Sequence, residues 1–301
     1  MMVGMDLRLL RYFLAVVEHG TVTAAADDLR IAQPSISRQL KQLERDLGLT
    51  LFTRSGQRLS ITAEGQAFVP VARDLLQRAD WARAAAGLLA GGSVARLVIA
   101  APGVTVTEVI GPFLATLEPD RDPLVLATEV VPSQAITALE HGADLAISAR
   151  PARAPYTGRT VVRIPLRAYV APTHHWARRA SVTLAELVTH RLLVPTRNQT
   201  TRTVLDLAVA AAGLTYDDVI ECEAPRAIQG LSRAGFGIGV VTDLPRFGAH
   251  SLSILDPGPN HPLSLELHAA WHPDHYAVGT IEDLAQRIGR FASVEFGTST
   301  R

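Results

Sequence analysis

Among 301 residues there is one cysteine, Cys222, so no disulfide can close within the chain and a two-cysteine redox switch is excluded. It falls in the run Val219-Ile220-Glu221-Cys222-Glu223, where an inert thiol on a buried strand is expected. Net charge is also missing: 29 basic residues offset 29 acidic ones, and Lys41 is the one lysine. No stretch approaches the roughly 18 consecutive apolar residues that span a bilayer, so no membrane partner is expected. The N-terminus runs from Met5-Asp6-Leu7-Arg8 into an amphipathic pattern rather than the apolar core of a signal peptide, which predicts a cytoplasmic location. Gly-x-Ser-x-Gly, a phosphate-binding loop and His-Glu-x-x-His are all absent, and no enzyme can be assembled from the visible motifs. His268, His272 and His275 straddle a strand end with no carboxylate pair at useful spacing. No catalytic residue, metal or cofactor is expected.

What is present is an apolar content of 48% against 19% charged residues, enough for large cores, and a length that calls for two or three compact units. The charge is unevenly spread. Residues 30 to 61 hold six basic residues (Arg30, Arg38, Lys41, Arg45, Arg54 and Arg58) against Glu44 and Asp46, a local +4. Residues 93 to 301 hold 18 basic and 20 acidic residues, a local −2. In the basic segment Ile36, Leu40, Leu43 and Leu47 recur at helical spacing as one narrow apolar stripe. Ser35, Arg38, Lys41, Gln42 and Arg45 fall on the opposite side, which carries no carboxylate, and Pro34 suits the first turn. Upstream, Thr23 to Leu29 reads as a short alanine-rich helix with Thr23 as N-cap, and Arg30-Ile31-Ala32 as the turn. Downstream, Leu51-Phe52 and Leu59-Ser60-Ile61 flank Thr53 to Arg58 as two β-runs around a basic tip. An amphipathic helix with a solvated face has the same polarity. The short turn, the small-residue helix and the basic wing together decide for a winged helix-turn-helix whose second helix enters the DNA major groove.

Met5-Asp6-Leu7-Arg8-Leu9-Leu10-Arg11-Tyr12-Phe13, Ala24-Ala25-Ala26, Gln33-Pro34-Ser35-Ile36-Ser37-Arg38-Gln39 and Leu51-Phe52-Thr53-Arg54 together resemble the LysR-type transcriptional regulators. The likeness is dense over residues 5 to about 66 and continues more loosely to the C-terminus. It implies a DNA-binding domain over 1–62, a linker helix over 63–92 that pairs two subunits, and an effector domain over 93–301. The expected DNA contacts are Thr23, Gln33, Pro34, Ser35, Ser37, Arg38, Lys41, Gln42, Arg54 and Arg58. The expected partners are double-stranded promoter DNA, a small-molecule effector, a second copy through the linker helix, a homotetramer, and RNA polymerase.

The residues themselves support that division. Leu7, Leu10, Phe13, Leu14 and Val17 line one face of a first helix over 6–19, stopped at Gly20. Thr62 caps a long helix in which Phe68, Val71, Leu75, Ala82, Ala86 and Leu89 keep 3-4 spacing; so long a single stripe calls for a partner chain. Gly91-Gly92-Ser93 ends it. From Arg96 strands and helices alternate: strands over 97–101, 124–131 and 144–149, with helices over 104–118 and 133–141 between them. A second such set has strands within 161–171, 192–194, 219–223 and 238–242 and helices over 184–188, 200–212 and 227–234. A strand at 263–271 and a helix at 278–291 close the chain. This order predicts parallel, doubly wound sheets. The resemblance makes them the two α/β subdomains of a periplasmic-binding-protein fold, 94–162 with 268–301 and 163–267. Gly235-Phe236-Gly237-Ile238-Gly239 has the helix before it and the strand after it, the reverse of a dinucleotide motif, and reads as a helix stop.

In open α/β sheets ligands bind beyond the carboxyl ends of the strands, at helix N-termini. That rule selects Thr105, Ser133 as the N-cap of its helix, and the polar loop Thr196, Arg197, Asn198, Thr200 and Thr201. With no aromatic cluster in these loops and helix dipoles converging, a small carboxylate-bearing metabolite is expected. Two other classes share parts of this pattern. A solute-binding transport receptor has no use for residues 5–62 and needs a signal peptide; an α/β enzyme needs a nucleophile and base.

Overall fold

The structure is a computed structural model and describes residues 6–55, 58–91, 93–255 and 261–298, with the backbone alone at 54, 55, 58, 90 and 91. Met5, the wing tip Gly56-Gln57 and Gly92 lie outside the described residues. The chain forms two compact units, one ending at Ser93 and one beginning at Val94. Among the described residues no helix is long and apolar enough to cross a membrane.

In the first unit α1 (Leu7–His19) is capped by Asp6, whose carboxylate accepts the Arg8 N–H, and ends at Gly20 in the left-handed region (φ 70°). Helix α2 (Val22–Leu29) is capped by Thr21, not by Thr23: Thr21 Oγ1 accepts the Ala24 N–H at 3.1 Å. Val22 is buried and must already be helical to reach the core, which moves the cap outward and leaves Thr23 exposed in the first turn. Helix α3 (Gln33–Leu47) follows after Arg30-Ile31-Ala32, with Pro34 in its first turn. Strands β1 (Phe52–Ser55) and β2 (Arg58–Ile61) pair antiparallel, Phe52 opposite Ile61 and Ser55 opposite Arg58. The hairpin thus extends further than expected, and Arg54 and Arg58 stand in strands rather than in the tip. The core joins all of these: Phe13 lies 5.6 Å ring to ring from both Phe52 and Phe68, among buried Leu10, Ile36, Leu43 and Leu51.

Helix α4 (Ala63–Gly91) begins with Thr62, whose Oγ1 accepts the Gly65 N–H at 2.9 Å. Its inner face centres on the fully buried Ala72, and Phe68, Val69, Leu75 and Leu76 pack on the same core. The expected single stripe therefore divides. Phe68 and Leu75 belong to the chain's own core, whereas Val71 is 48% and Leu89 88% exposed.

The second unit contains two mixed sheets, and its strands and helices run in this order: β3 (Arg96–Pro102), α5 (Gly103–Thr105), α6 (Gly111–Leu114), β4 (Leu124–Val130), β5 (Leu145–Ser148), β6 (Thr157–Pro165), β7 (Arg167–Val170), β8 (Ser181–Thr183), α7 (Leu184–Leu187), β9 (Arg191–Pro195), α8 (Thr200–Ala211), β10 (Asp218–Cys222), α9 (Pro225–Arg233), β11 (Ile238–Val241), β12 (His250–Leu255), β13 (Ser264–Trp271) and α10 (Val278–Phe296). One sheet has the order β4-β3-β5-β13-β6 and the other β10-β9-β11-β7-β12-β8. The expected parallel pairing holds for β4-β3-β5 and β10-β9-β11. It fails for β13, β6 and β7, because the chain passes to the other sheet and returns, which reverses its direction. Both crossing strands, β6 and β13, belong to the five-stranded sheet over their whole length. The sheets accordingly divide at 165/166 and 263/264 instead of 162/163 and 267/268, and Leu166 N–H donates to Leu263 O at 2.8 Å where the crossings meet.

Three helices differ from expectation. The segment 104–118 is α5, a π turn over Val106–Ile110, and α6. Pro112 has no N–H for the carbonyl four residues back and its ring crowds it, which widens the preceding turn. The segment 133–141 is two 3-10 turns, Pro132–Gln134 and Thr137–His141; Ser133 is inside the first and caps nothing. Helix α10 continues to Phe296. Gly235 (φ 86°) stops α9 as expected, and a Cβ on Gly239 would lie 2.4 Å from Ser232 Oγ, so glycine lets α9 lie close on β11.

A Cβ on Gly65 would lie 2.3 Å from Leu51 O and 2.7 Å from Ile61 Cγ1. Gly65→Ala should therefore destabilise the first unit by roughly 1–3 kcal/mol through overpacking. Gly87→Ala, with open space around it, should be neutral or stabilising by up to about 1 kcal/mol. Urea unfolding of both variants checks the pair.

Candidate functional site

The outer face of α3 presents Gln33, Pro34, Arg38, Lys41, Gln42 and Arg45 to solvent, with Ser35 and Ser37 half-buried. Arg38 and Lys41 make no ion pair with any described residue. Gln33 Nε2 donates to Ser37 Oγ at 3.2 Å, while Gln42 is held between Asp46 (2.6 Å) and Arg45. Glu44 is turned away: its Oε1 accepts the N–H groups of Leu51 (2.8 Å) and Phe52 (3.1 Å), fastening α3 to the start of β1. Asp46 is taken by Gln42 and Glu44 by the hairpin, so Arg38 and Lys41 are left with their positive charge on the exposed face. Arg54 stands opposite Leu59, and Arg58 opposite Ser55, in the paired strands; their side chains lie outside the described ones.

In the second unit a cavity of about 60 Å³ lies between the two sheets. Pro102, Val104 and Thr105 reach it from the end of β3, Gln199, Thr200 and Thr201 from the start of α8, and Thr242 from the end of β11. Ile164, Leu265 and Leu267, on the crossing strands β6 and β13, form its floor. Thr105, Thr200 and Thr201 are thus brought together at one cavity. Four expected residues are not. Ser133 is exposed and its neighbour Pro132 lines the cavity instead. Thr196 and Asn198 are bonded to each other at 2.6 Å in the loop. Arg197 is 80% exposed and lies 3.5 Å from Glu221, whose charge draws it off the site.

The charged group at the cavity is Glu108, which was not expected. The π turn sets its side chain inward, only 3% exposed. Arg246 Nη2 donates to both of its oxygens (2.9 and 3.1 Å), and Arg226 Nη2 approaches at 3.4 Å. These arginines come from α9 and from the loop after β11, so the ion pair crosses from one sheet's layer to the other's. Gln229, fully buried, steadies that loop: its Oε1 accepts the Arg246 N–H at 2.8 Å and its Nε2 donates to Leu244 O at 3.0 Å. Tyr169 donates its hydroxyl to Asp243 O. Nothing in the linear pattern marks Glu108 except its position one turn beyond the strand end.

Asp243 is 3% exposed, and among the described residues its Oδ2 has no partner. Burial, then the charge of Glu108, pushes its carboxyl up to about 6. Elsewhere, Cys222 is half-buried rather than buried. The three C-terminal histidines take separate partners: His275 with Asp144 at 2.9 Å, His268 with Thr160 at 3.3 Å, and His272 with the Asp274 N–H at 3.1 Å. Since the folded Asp243 pKa lies above its unfolded value, charging it disfavours the folded state. That penalty is absent below about pH 4 and complete above about pH 6. Asp243→Asn should therefore stabilise the chain by about 2–3 kcal/mol at pH 7.5 and leave it unchanged at pH 4, as read by thermal melts across that range.

The sequence and the fold have counterparts among known proteins. Residues 7–66 match the family described as bacterial regulatory helix-turn-helix protein, lysR family, and residues 90–292 match the LysR substrate binding domain. The transcriptional regulator CysB of Haemophilus influenzae is 30% identical over 249 residues, 80% of this chain and 76% of that protein. The regulator ClcR of Pseudomonas putida is 39% identical over 113 residues, a match spanning 38% of each chain. Among solved structures, full-length OxyR of Pseudomonas aeruginosa has a TM-score of 0.69 at 21% identity, covering 95% of both chains. Full-length CbnR in complex with its target DNA has a TM-score of 0.64 at 22% identity, covering 94% of this chain and all of that one. The helix-turn-helix, the long helix and the α/β sheets are those of this group, and the chain belongs to the LysR family of DNA-binding transcriptional regulators.

Proposed function

We propose that the regulator reads an operator half-site with the outer face of α3 and changes its DNA complex when a small effector enters the cavity between the two sheets. The observation that carries this reading is the cavity itself, bounded by loops of both sheets and floored by the strands that cross between them. Its volume, about 60 Å³, has room for roughly four waters. A ligand that fills it touches both sheets at once, and that coupling lets it select one closure over another. The lining is mostly apolar, with the hydroxyls of Thr105, Thr201 and Thr242, the Glu108 carboxylate already paired with Arg246 and Arg226, and the first turn of α8, whose N-cap Gln199 makes no side-chain cap bond. Those donors suit one carboxylate or carbonyl on an otherwise apolar small molecule. With Arg197 and Ser133 outside the cavity, the α8 terminus supplies the anion selectivity.

In this reading Arg38 meets a base edge or phosphate, with Gln33, Ser35, Ser37, Lys41 and Gln42 beside it, and Arg54 and Arg58 follow the backbone. The exposed Val71, Ala82, Ala86 and Leu89 of α4 supply the contact with a second copy, on the way to a tetramer. The protein works in the cytoplasm at promoters, where RNA polymerase is its further partner.

Arg38→Ala should weaken operator binding by roughly 1–3 kcal/mol and relax sequence preference, whereas Arg54→Ala should lower affinity for all sequences alike and flatten the salt slope. Anisotropy titrations over a salt series separate the two, and wild-type affinity in Arg38→Ala would sink the assignment. Leu89→Asp leaves the first unit's core untouched and should dissociate the dimer by burying an unpaired charge. Light scattering reads this out, and an unchanged mass removes α4 as the seam. For the effector, metabolites that raise the melting temperature are carried to calorimetry with Thr201→Val. A loss of at least about fivefold, equivalent to one hydrogen bond, is expected.

A further inference from the structure

Three histidines meet in the second unit at a place unrelated to the cavity. His174 and His175 follow β7, and His190 directly precedes β9. Strand β7 runs antiparallel to β11 and β11 parallel to β9, so the end of β7 and the start of β9 lie at one edge of the sheet. Thr201 and Thr242 follow β9 and β11 at the opposite edge. The five-residue length of β9 separates the two places by about 17 Å.

One ring nitrogen of each histidine lies within 4.8 Å of those of the other two. His190 Nδ1 is 3.1 Å from Glu186 O, a group that only accepts, so Nδ1 carries the proton and Nε2 keeps its lone pair. A backbone carbonyl behind a ring is the usual orienting partner of a metal-bound imidazole. The neighbouring carboxylate, Glu186, is taken by Arg179 and Thr183. His175 is exposed and free to turn. The cluster offers the Nε2 lone pair of His190, the exposed ring of His175, and the His174 ring, whose Nδ1 already accepts the Trp176 N–H.

We propose that His174, His175 and His190 bind a late first-row divalent metal ion of the Zn²⁺ or Ni²⁺ type, with the fourth position left to water. Tetrahedral zinc holds imidazole nitrogens at about 2.0–2.1 Å, hence about 3.4 Å from one another. The rings close that gap by rotations of about 1 Å, within reach of His175 above all. Nδ1 of His174 accepts the Trp176 N–H at 3.2 Å. Ligation through Nε2 places a proton on Nδ1, and ligation through Nδ1 displaces the amide, so metal binding breaks this bond either way. Trp176 is buried with its ring 5.2, 5.5 and 4.6 Å from His174, His175 and His190, and so reports on the site.

The test uses the full-length chain without a histidine tag, stripped with chelator. Calorimetric titration with Zn²⁺ should give one ion per chain. His175→Ala and His190→Ala should each weaken it at least roughly tenfold, and Cu²⁺ should quench a fluorescence component that disappears in Trp176→Phe. His175 is exposed, so His175→Ala stays decisive even if His190→Ala fails to fold. Absence of binding at millimolar Zn²⁺, or stoichiometric binding that survives His175→Ala unchanged, overturns the site.

Discussion

The second unit depends on the antiparallel pairing of β6 with β13. The chain leaves the five-stranded sheet at the end of β6 and returns at the start of β13, and the Leu166–Leu263 hydrogen bond ties the two passages side by side. In the proposed mechanism this double connection is where the sheets change their angle. Ile164, Leu265 and Leu267 sit on the same strands and floor the cavity. Whatever fills the cavity therefore bears directly on the element that sets the angle. Glu108 with Arg246 and Arg226 spans the opening from one layer to the other. Burying that carboxylate is costly, and two guanidinium groups offset the cost only while the layers stay close. The ion pair thus holds the layers in the arrangement seen here, and in the proposed mechanism a ligand that favours another must outbid it.

The first unit is built on a different constraint, the sharing of a small core among α1, α2, α3, the hairpin and the start of α4. Phe13, Phe52 and Phe68 come from three elements and meet as a cluster. Glu44 binds two hairpin amides, and Thr62 joins the hairpin to α4 through Leu51 O and the Gly65 N–H. Because α4 uses Phe68 and Leu75 here, its exposed apolar surface is shifted toward Val71 and the distal Ala82, Ala86 and Leu89.

The helix-turn-helix was legible because each of its elements is short, strongly periodic and punctuated. Ile36, Leu40 and Leu43 are buried, and the exposed side carries the expected polar set. The Thr21 cap was missed because two threonines lie two residues apart and only the burial of Val22 chooses between them. Parallel strands read easily from continuous apolar runs such as Leu97 to Ala101. Strands β8 and β12 did not: Ser181-Val182-Thr183 is too short, and His250 to Leu255 is half polar. The loops at the cavity followed from topology, but the direction of each side chain did not. Arg197 answers to Glu221, a residue 24 positions on, and Glu108 points inward because Pro112 distorts the helix before it. His174, His175 and His190 show no periodicity at all, and only the return of the chain to the start of β9 brings them together.

The central claim is that occupancy of the cavity between the sheets governs the complex with DNA. Its most direct test fills the cavity from within. Val104 is half-buried on the lining, and Val104→Trp places a ring where an effector is expected to sit. Operator footprinting and affinity are measured on the full-length variant without ligand, with circular dichroism to check the fold. The account predicts an altered footprint or an affinity shifted at least about tenfold, equivalent to roughly 1.4 kcal/mol. A folded variant with the wild-type footprint and affinity would contradict it.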